Sequence, residues 1–263
     1  MEVTAIRLPR ESGQFDLFKH LQLSAEFKDG DILVLSSKYV SVSEGALVRL
    51  SSVRPSAEAK LAASRYHMDP RLAELVLRES DYVFKGVAGF LLTIRDGMIA
   101  PNAGIDKSNA PHGFVILYPG DPFRSASNIR LKFLAELGVR LGVVIADSRL
   151  MPTRIGTTGV AIACSGFEPV EDQRGRKDLF GSVLRVTFKA VADSLATMGV
   201  AVMGESNEST PAALVRGADV TFSDREIGWQ DMAVDASQDI YMRYEKPDKS
   251  KGKSKSKSRM KTI

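Results

Sequence analysis

Ser125-Ala126-Ser127-Asn128-Ile129-Arg130-Leu131-Lys132-Phe133-Leu134-Ala135-Glu136-Leu137-Gly138-Val139-Arg140-Leu141-Gly142-Val143-Val144-Ile145-Ala146-Asp147 reads as a helix running into a strand. The helical part covers 125–137 and stops at Gly138, a C-terminal stop signal. Gly142 to Ala146 is a short apolar run, the pattern of a buried strand, and it delivers Asp147 at its end. Asp31 to Ser36 is a second such run, entered through Asp29-Gly30. Ser56 and Asp69-Pro70 each open a helix, the second with Leu72, Leu75 and Val76 on its apolar face. Phe90 to Ile94 and Met98 to Ala100 flank Asp96-Gly97 as a hairpin. Leu184 to Phe188 alternates like a strand, Ala190 to Met203 reads as a buried helix ending at Gly204, and Pro211 to Val215 returns as a strand. Helices and strands mix without a regular βαβ rhythm. The predicted class is α+β.

Composition narrows the chemistry. One cysteine, Cys164, rules out a disulfide framework, and three scattered histidines, His20, His67 and His112, argue against a His-rich metal site. A metal here would be held by oxygen. No apolar run nears the ~20 residues of a membrane helix, and no signal-peptide pattern opens the chain, so a cytoplasmic protein is expected. The formal charge is +4, but the stretch after Glu245 carries eight basic residues against Asp248 alone, +7, which leaves −3 for the body. Residues 246–263 are therefore expected to be a disordered Lys/Ser tail, appended to a body over 1–245 that has room for two subdomains. The tail reads as a solubilising extension, with a nucleic-acid-binding arm as the less favoured alternative.

The usual nucleotide and nucleophile signatures, Gly-x-x-x-x-Gly-Lys-Ser/Thr, Gly-x-Gly-x-x-Gly and Gly-x-Ser-x-Gly, are missing. Four polar segments remain. Asp106 and Asn109 straddle a turn and can present a carboxylate and an amide to one ligand, or simply form an Asx turn. Asp147-Ser148 can hold a divalent cation or cap a turn. Glu205, within Met203-Gly204-Glu205-Ser206-Asn207-Glu208-Ser209-Thr210-Pro211, is another hard oxygen ligand or a solvated loop residue. Arg176-Lys177, set between Gly175 and Gly181, suits a phosphate or carboxylate clamp or an ordinary surface turn.

Taken in order, Ser37, Ser41 and Glu44-Gly45, Asn102-Ala103-Gly104-Ile105-Asp106 with Asn109, Ile145-Ala146-Asp147-Ser148, Gly175-Arg176-Lys177-Asp178-Leu179-Phe180-Gly181 and Met203-Gly204-Glu205 with Val215-Arg216-Gly217 resemble the coenzyme F420-0:γ-glutamyl ligase family. The resemblance covers residues 3 to about 245. It implies an α+β fold assembled as an intertwined homodimer, and a GTP-dependent ligation of L-glutamate to a deazaflavin coenzyme through an acyl phosphate. By motif position it implies metal ligands at Asp106, Asp147, Ser148 and Glu205 for two Mg²⁺ or Mn²⁺ ions, with K⁺ as a further candidate. Nucleotide contacts are implied at Leu8, Pro9, Ser36, Ser37 and Asn109. Arg154 joins Arg176 and Lys177 as a possible substrate clamp. No residue stands out as a general base.

The chain also departs from the family pattern. Val42 stands where a lysine is usual, and Lys38 is the nearby cation able to replace it. Arg149 to Thr153 replaces an aromatic-Gly-Arg-Pro-Trp stretch with only Pro152 kept, and Arg7 replaces a glycine. Two alternatives therefore stand beside the glutamate ligase. One is a same-fold amide ligase with a changed acceptor or amino acid, the other a non-catalytic binding protein.

Overall fold

The computed structural model describes residues 1–234 and 239–241. In chain order the elements are β1 (Glu2–Ile6), α1 (Leu17–Ser24), β2 (Ile32–Ser36), α2 (Ser37–Ser43), β3 (Leu47–Arg49), α3 (Ala57–Tyr66), α4 (Pro70–Glu79), β4 (Tyr82–Val87), β5 (Phe90–Arg95), β6 (Met98–Pro101), β7 (Phe114–Ile116), α5 (Pro122–Leu137), β8 (Gly142–Leu150), β9 (Thr157–Ser165), β10 (Val170–Asp172), β11 (Phe188–Ala190), α6 (Val191–Met203) and β12 (Ala212–Arg216). Helices and mixed sheets make the class α+β. Two compact units emerge, one from Met1–Ala46 and Pro119–Met232, the other built on Leu47–Tyr118. The Lys/Ser tail, 246–263, lies outside the described residues. No helix among them is long and apolar enough to cross a membrane.

The first unit is a five-stranded sheet in the order β1-β12-β2-β8-β9. β2 and β8 run parallel, and every other neighbour is antiparallel. Ile32 to Leu35 of β2 are all fully buried. Ile32 and Val34 pack in one cluster with Leu195 and Ala196 of α6, while Leu33 and Leu35 point to the other face. A strand covered on both faces carries no polar alternation, hence the unbroken apolar run. Helix α6 lies close on the sheet because Gly199 and Gly159 lack side chains. A Cβ at Gly199 would fall 2.6 Å from Val34, and one at Gly159 would strike the Ala196 carbonyl. Phe133 of α5 is enclosed edge-on by Phe18 and Phe27, at centroid distances of 5.0 and 4.6 Å. Each such ring contributes roughly 1.5–3 kcal/mol by burial. Arg216, at the end of β12, donates from Nε and Nη2 to the buried Asp31 carboxylate, both at 2.8 Å. Losing that arginine would strand a buried charge at a cost of about 3–5 kcal/mol.

The second unit holds the β4-β5-β6 meander, the β3-β7 ribbon and the α3-α4 pair. Helix α3 starts where Ser56 Oγ accepts the Ala59 amide, and α4 where Asp69 accepts the Arg71 amide. Ala59, Ala62, Ala63 and Ala73 form the buried contact between the two helices. Glu74 reaches back to the Ser56 amide at 2.8 Å.

Two expectations need correction. Strand β8 does not end at Asp147 but continues to Leu150, because β9 pairs with it all the way to Leu150↔Thr157. Of the alternating stretch Leu184 to Phe188, only Phe188 is strand. The rest belongs to an exposed arm closed by the Gly175 amide to Leu184 carbonyl and the Leu184 amide to Arg176 carbonyl; its period-two pattern faces no core. Lys38 sits on helix α2, whose period, not the period-two count of a strand, sets the face it shares with Val42. The helix prevails over the β-branched Val40 and Val42 by burying both, together with Ser37 and Ser41.

Candidate active site

Three chain segments meet at one edge of the first unit's sheet. The Leu8 amide donates to the Ser209 carbonyl at 3.0 Å, and the Ser36 amide donates to the Pro211 carbonyl at 2.8 Å. The segment after β1, the end of β2 and the loop entering β12 are thus stitched together by their backbones. Tyr39 of α2 adds a side-chain tie, donating to the Pro9 carbonyl at 2.9 Å and lying 3.0 Å from His20 Nδ1. Burial, helped by nearby Glu11, pushes the Tyr39 phenol up, so it stays protonated as a donor. Leu8, Pro9, Ser36, Ser37 and Lys38, drawn from two distant segments, therefore share this edge.

Asp147 joins them. Ser36 pairs with Ala146 across the parallel β2-β8 ladder, so the residues after each lie beyond the strand ends of β2 and alongside them on β8. Ser37 Oγ donates to Asp147 Oδ1 at 3.4 Å. One helical turn on, Ser41 Oγ is buried without a hydrogen-bond partner among the described residues. Lys38 and Val42, four residues apart on α2, share a helix face. Lys38 can therefore serve the space of the missing lysine from one turn earlier.

The aim of Asp147 is set by a bulge immediately before it. Ile145 pairs with Ala163 but Ala146 pairs with Ala161, leaving Ile162 as an extra residue in β9. The Ala161 amide released from the ladder donates to Asp193 Oδ1 at 2.9 Å. Thr197 Oγ1 donates to the Gly159 carbonyl at 2.7 Å, holding the same ribbon to α6. Sequence reading missed Asp193, although an acid inside an otherwise apolar helix was the visible signal.

Beyond the bulge, side chains alternate. Asp147 and Val160 share the face toward α2, and Ser148 with Gly159 the face toward α6. Glu205 follows the end of α6 and accepts from Thr157 Oγ1 at 2.9 Å, Thr157 being the partner of Leu150. The loop from Gly204 to Pro211 thus stretches from the β8-β9 ribbon to Leu8 and Ser36. Among the described residues no three of His, Cys, Asp and Glu form a group that could hold a metal. The donor chemistry does fit Mg²⁺ or Mn²⁺, since Asp147, Ser148 and Glu205 offer hard oxygens only. Cys164 is no competitor: it is buried, and burial pushes its thiol up to about 12.

Asp106 and Asn109 belong to the second unit. The three residues Asn102, Ala103 and Gly104 take positive φ of 52°, 53° and 73°. Asn102 Oδ1 accepts the Leu91 amide at 2.9 Å, and Thr93 Oγ1 accepts the Ala103 amide at 3.0 Å. A side chain at Gly104 would overlap the Tyr118 ring. The chain leaves this turn into a two-way backbone bridge between Asp106 and Ile116. Asp106 Oδ1 accepts the Ser108 amide at 2.7 Å, which makes it an Asx-turn residue whatever else it does.

Arg154 lies at the β8-β9 tip, while Arg176 and Lys177 lie on the exposed arm between β10 and β11. The arm is rooted where the Val191 amide meets the Pro169 carbonyl, at the start of α6, whereas Glu205 lies past its end. Glu205 and the Arg176-Lys177 pair therefore belong to opposite ends of α6.

Fold and edge together define an α+β protein that gathers hydroxyls, a lysine and a carboxylate where parallel strands end, a setting suited to anionic ligands. The family described as F420-0:Gamma-glutamyl ligase matches residues 6–217, and the chain belongs to that family. It is 43% identical over 203 residues to the Coenzyme F420:L-glutamate ligase of Methanopyrus kandleri, covering 77% of this chain and 81% of that protein. The protein of the same name from Methanocaldococcus jannaschii is 37% identical over 225 residues, 84% of this chain and 90% of its own. That of Archaeoglobus fulgidus is 38% identical over 205 residues, 78% and 82%.

Proposed function

We propose that the protein is a GTP-dependent coenzyme F420-0:L-glutamate ligase working in the cytoplasm. The observation that carries this reading is the joining of Leu8-Pro9, Ser36-Ser37-Lys38 and the loop before β12 around Asp147, in a chain whose relatives are named Coenzyme F420:L-glutamate ligase. The acceptor carboxylate attacks the γ-phosphorus of GTP, breaking its bond to the bridging oxygen and releasing GDP. The glutamate amine then attacks the acyl carbon, phosphate leaves, and the amine proton passes to solvent or phosphate. Leu8, Pro9, Ser36, Ser37 and Lys38 of the first unit bind and orient the nucleotide. Asp147 and Glu205 would hold Mg²⁺ or Mn²⁺, which supplies the positive charge that a triphosphate beside a carboxylate requires. A further γ-linked glutamate is the natural second cycle.

The same reading includes a homodimer. Leu179 and Phe180 at the arm tip are 99% and 95% exposed, a loss that burial against a second copy would offset. Arg154, Arg176 and Lys177, which make no side-chain hydrogen bond or ion pair among the described residues, would act as the substrate clamp in that assembly. Val42 and the Arg149 to Thr153 stretch favour one second reading, a ligase of the same mechanism with a changed acceptor.

The test is to incubate the protein with GTP, Mn²⁺, L-glutamate and F420-0 and to follow coenzyme mass. Addition of one or two glutamyl units is expected. Asp147→Asn should keep the fold, judged by circular dichroism and melting, and reduce turnover at least a thousandfold, since the amide loses the charge. GTP consumption without a mass gain on F420-0, but with one on another carboxylate, would favour the changed acceptor. Full activity in the Asn variant would remove Asp147 from the site.

A further inference from the structure

At the opposite end of the same sheet, ahead of β2 and β8, lies a cleft of 320 Å³ lined by Arg130, Leu134, Arg140, Leu141, Phe222 and Asp224 among others. Its size is at the lower end of small-molecule sites, ~300–1,000 Å³. All of its lining belongs to the first unit, and none of it takes part in the reaction above.

The cleft has a built cationic wall. Arg130 is only 13% exposed at its side chain, and its Nε donates to Ser165 Oγ at 3.1 Å while Nη1 donates to Asp224 Oδ1 at 2.7 Å. Its stem is held from below, since a Cβ on Gly166 would come within 2.7 Å of Arg130 Cδ. A guanidinium carries five N–H donors, so most of this immobilised fork remains available. Arg140 is fixed at the backbone, its amide on Asp29 Oδ1 at 2.7 Å and its carbonyl on the Gly30 amide at 2.9 Å. Its guanidinium makes no ion pair or hydrogen bond among the described residues. Asp224 pairs with Arg130, and Asp29 accepts the Arg140 backbone amide, so two guanidiniums face two carboxylates and Arg140 is the one whose side chain is not engaged. The remaining wall is apolar, from Leu134, Leu141 and Phe222, the last a large ring left 46% exposed.

We propose that this cleft is a second ligand site, for a small organic oxyanion with a planar apolar body. The carboxylate or phosphate would sit between Arg140 and the open edge of Arg130, and the ring would lie against Phe222. Carboxylates and phosphates are matched by guanidinium forks, and an aromatic wall beside a cation favours a flat ring over an alkyl chain. The ligand enters next to Leu141, the residue that precedes β8, so it is separate from the nucleotide edge.

The experiment uses the full chain with phenyl phosphate and benzoate as probes and inorganic phosphate as the comparison, measured by calorimetry with saturating GDP so that the nucleotide edge is filled. Binding of one aromatic oxyanion per chain is expected, tighter than inorganic phosphate. Arg140→Gln should weaken it about 10- to 100-fold, the range for one charge-assisted contact. Phe222→Ala should weaken the aromatic probes while sparing inorganic phosphate. Both positions are at the surface, and unchanged melting temperatures identify folded variants. If neither aromatic probe binds, or if both variants bind as the parent does, the cleft is not an oxyanion site. That outcome leaves the ligase assay untouched, and a failed ligase assay leaves this site untouched.

Discussion

Replacing Asp193 with alanine tests how the fold aims Asp147. The bulge at Ile162 takes one backbone amide of β9 out of the ladder, and Asp193 Oδ1 receives it at 2.9 Å. Ala161 is buried, so water cannot replace the carboxylate. An unsatisfied buried amide costs about 1–3 kcal/mol, and bonds to a charged acceptor lie toward the upper part of that range. A loss of about 2 kcal/mol in a chain of this size corresponds to a fall of about 4–8 °C in Tm. Asp193→Asn keeps an oxygen acceptor in place and should recover more than half of the loss. The discriminating assay is amide exchange. Protection at Ala161 should drop in the alanine variant more than at Val34 in the sheet centre, because the damage begins at the bulge. Ligase turnover should fall further than the stability change alone explains, since Asp147 is the second residue after the bulge. An alanine variant within 1 °C of the parent, with Ala161 exchange unchanged, would refute the view that Asp193 holds the bulge.

Lys38→Ala should raise the KM for nucleotide about 10-fold or more while leaving metal affinity unchanged, as expected for one lost charge-assisted phosphate contact; a change in kcat alone would place Lys38 outside the nucleotide site. Asp69 is held down to about 2, first by the side-chain hydrogen bond from Arg71, against some opposing burial. Because the folded value lies below the ordinary ~4, the unfolded chain binds the extra proton, and this stabilisation is complete above pH ~4 and lost as pH falls toward 2. Urea unfolding of Asp69→Asn across that window should show a shallower acid limb than the parent, and parallel limbs would dismiss the pair. Deleting 247–263, which contains no apolar residue before Met260, should leave both Tm and turnover unchanged, and a clear drop in either would assign the tail a packing or substrate role.

Much of the fold was legible because local chemistry and burial agreed. Asp69-Pro70 and Ser56 cap the helices they announce, Gly138 closes α5 in the left-handed conformation, and the apolar runs at 32–35 and 142–146 are the paired central strands. The start of α5 was read late, although Asp121-Pro122 repeats the Asp69-Pro70 signal. Helix α2 was illegible for a physical reason. Ser37-Lys38-Tyr39-Val40-Ser41-Val42-Ser43 alternates like a continuing strand, and only the packing of Ser37, Val40 and Ser41 into the unit makes it helical. Strand β9 hides behind Gly159 and two alanines, Ala161 and Ala163, because its composition serves the close approach of α6. At the site, the positions of Leu8, Ser36 and Asp147 could be marked along the chain. Their meeting depends on backbone bonds to Ser209 and Pro211 that no local pattern encodes.

The Asn102-Ala103-Gly104 string separates the two reasons a motif can be unusual. Ala103 at φ 53° sits in a region that costs an L-residue about 1–2 kcal/mol. That cost is offset by bonds from both neighbours in space: Asn102 occupies the Leu91 amide, and Thr93, itself donating to the Ala100 carbonyl at 2.6 Å, occupies the Ala103 amide. Asparagine is the side chain that tolerates this backbone while bonding across it, and glycine is required at 104 by both its φ and the Tyr118 ring. These three residues are therefore accounted for by the turn alone, without any ligand. Asp106 is different. Its backbone is consumed by the bridge to Ile116 and one carboxylate oxygen by Ser108, which holds the side chain in a fixed pose. A strained turn followed by an anchored carboxylate is the order expected when backbone strain is spent on positioning one group. The turn thus accounts for Asn102, Ala103 and Gly104, and the Asp106 carboxylate that follows is held by the Ser108 amide.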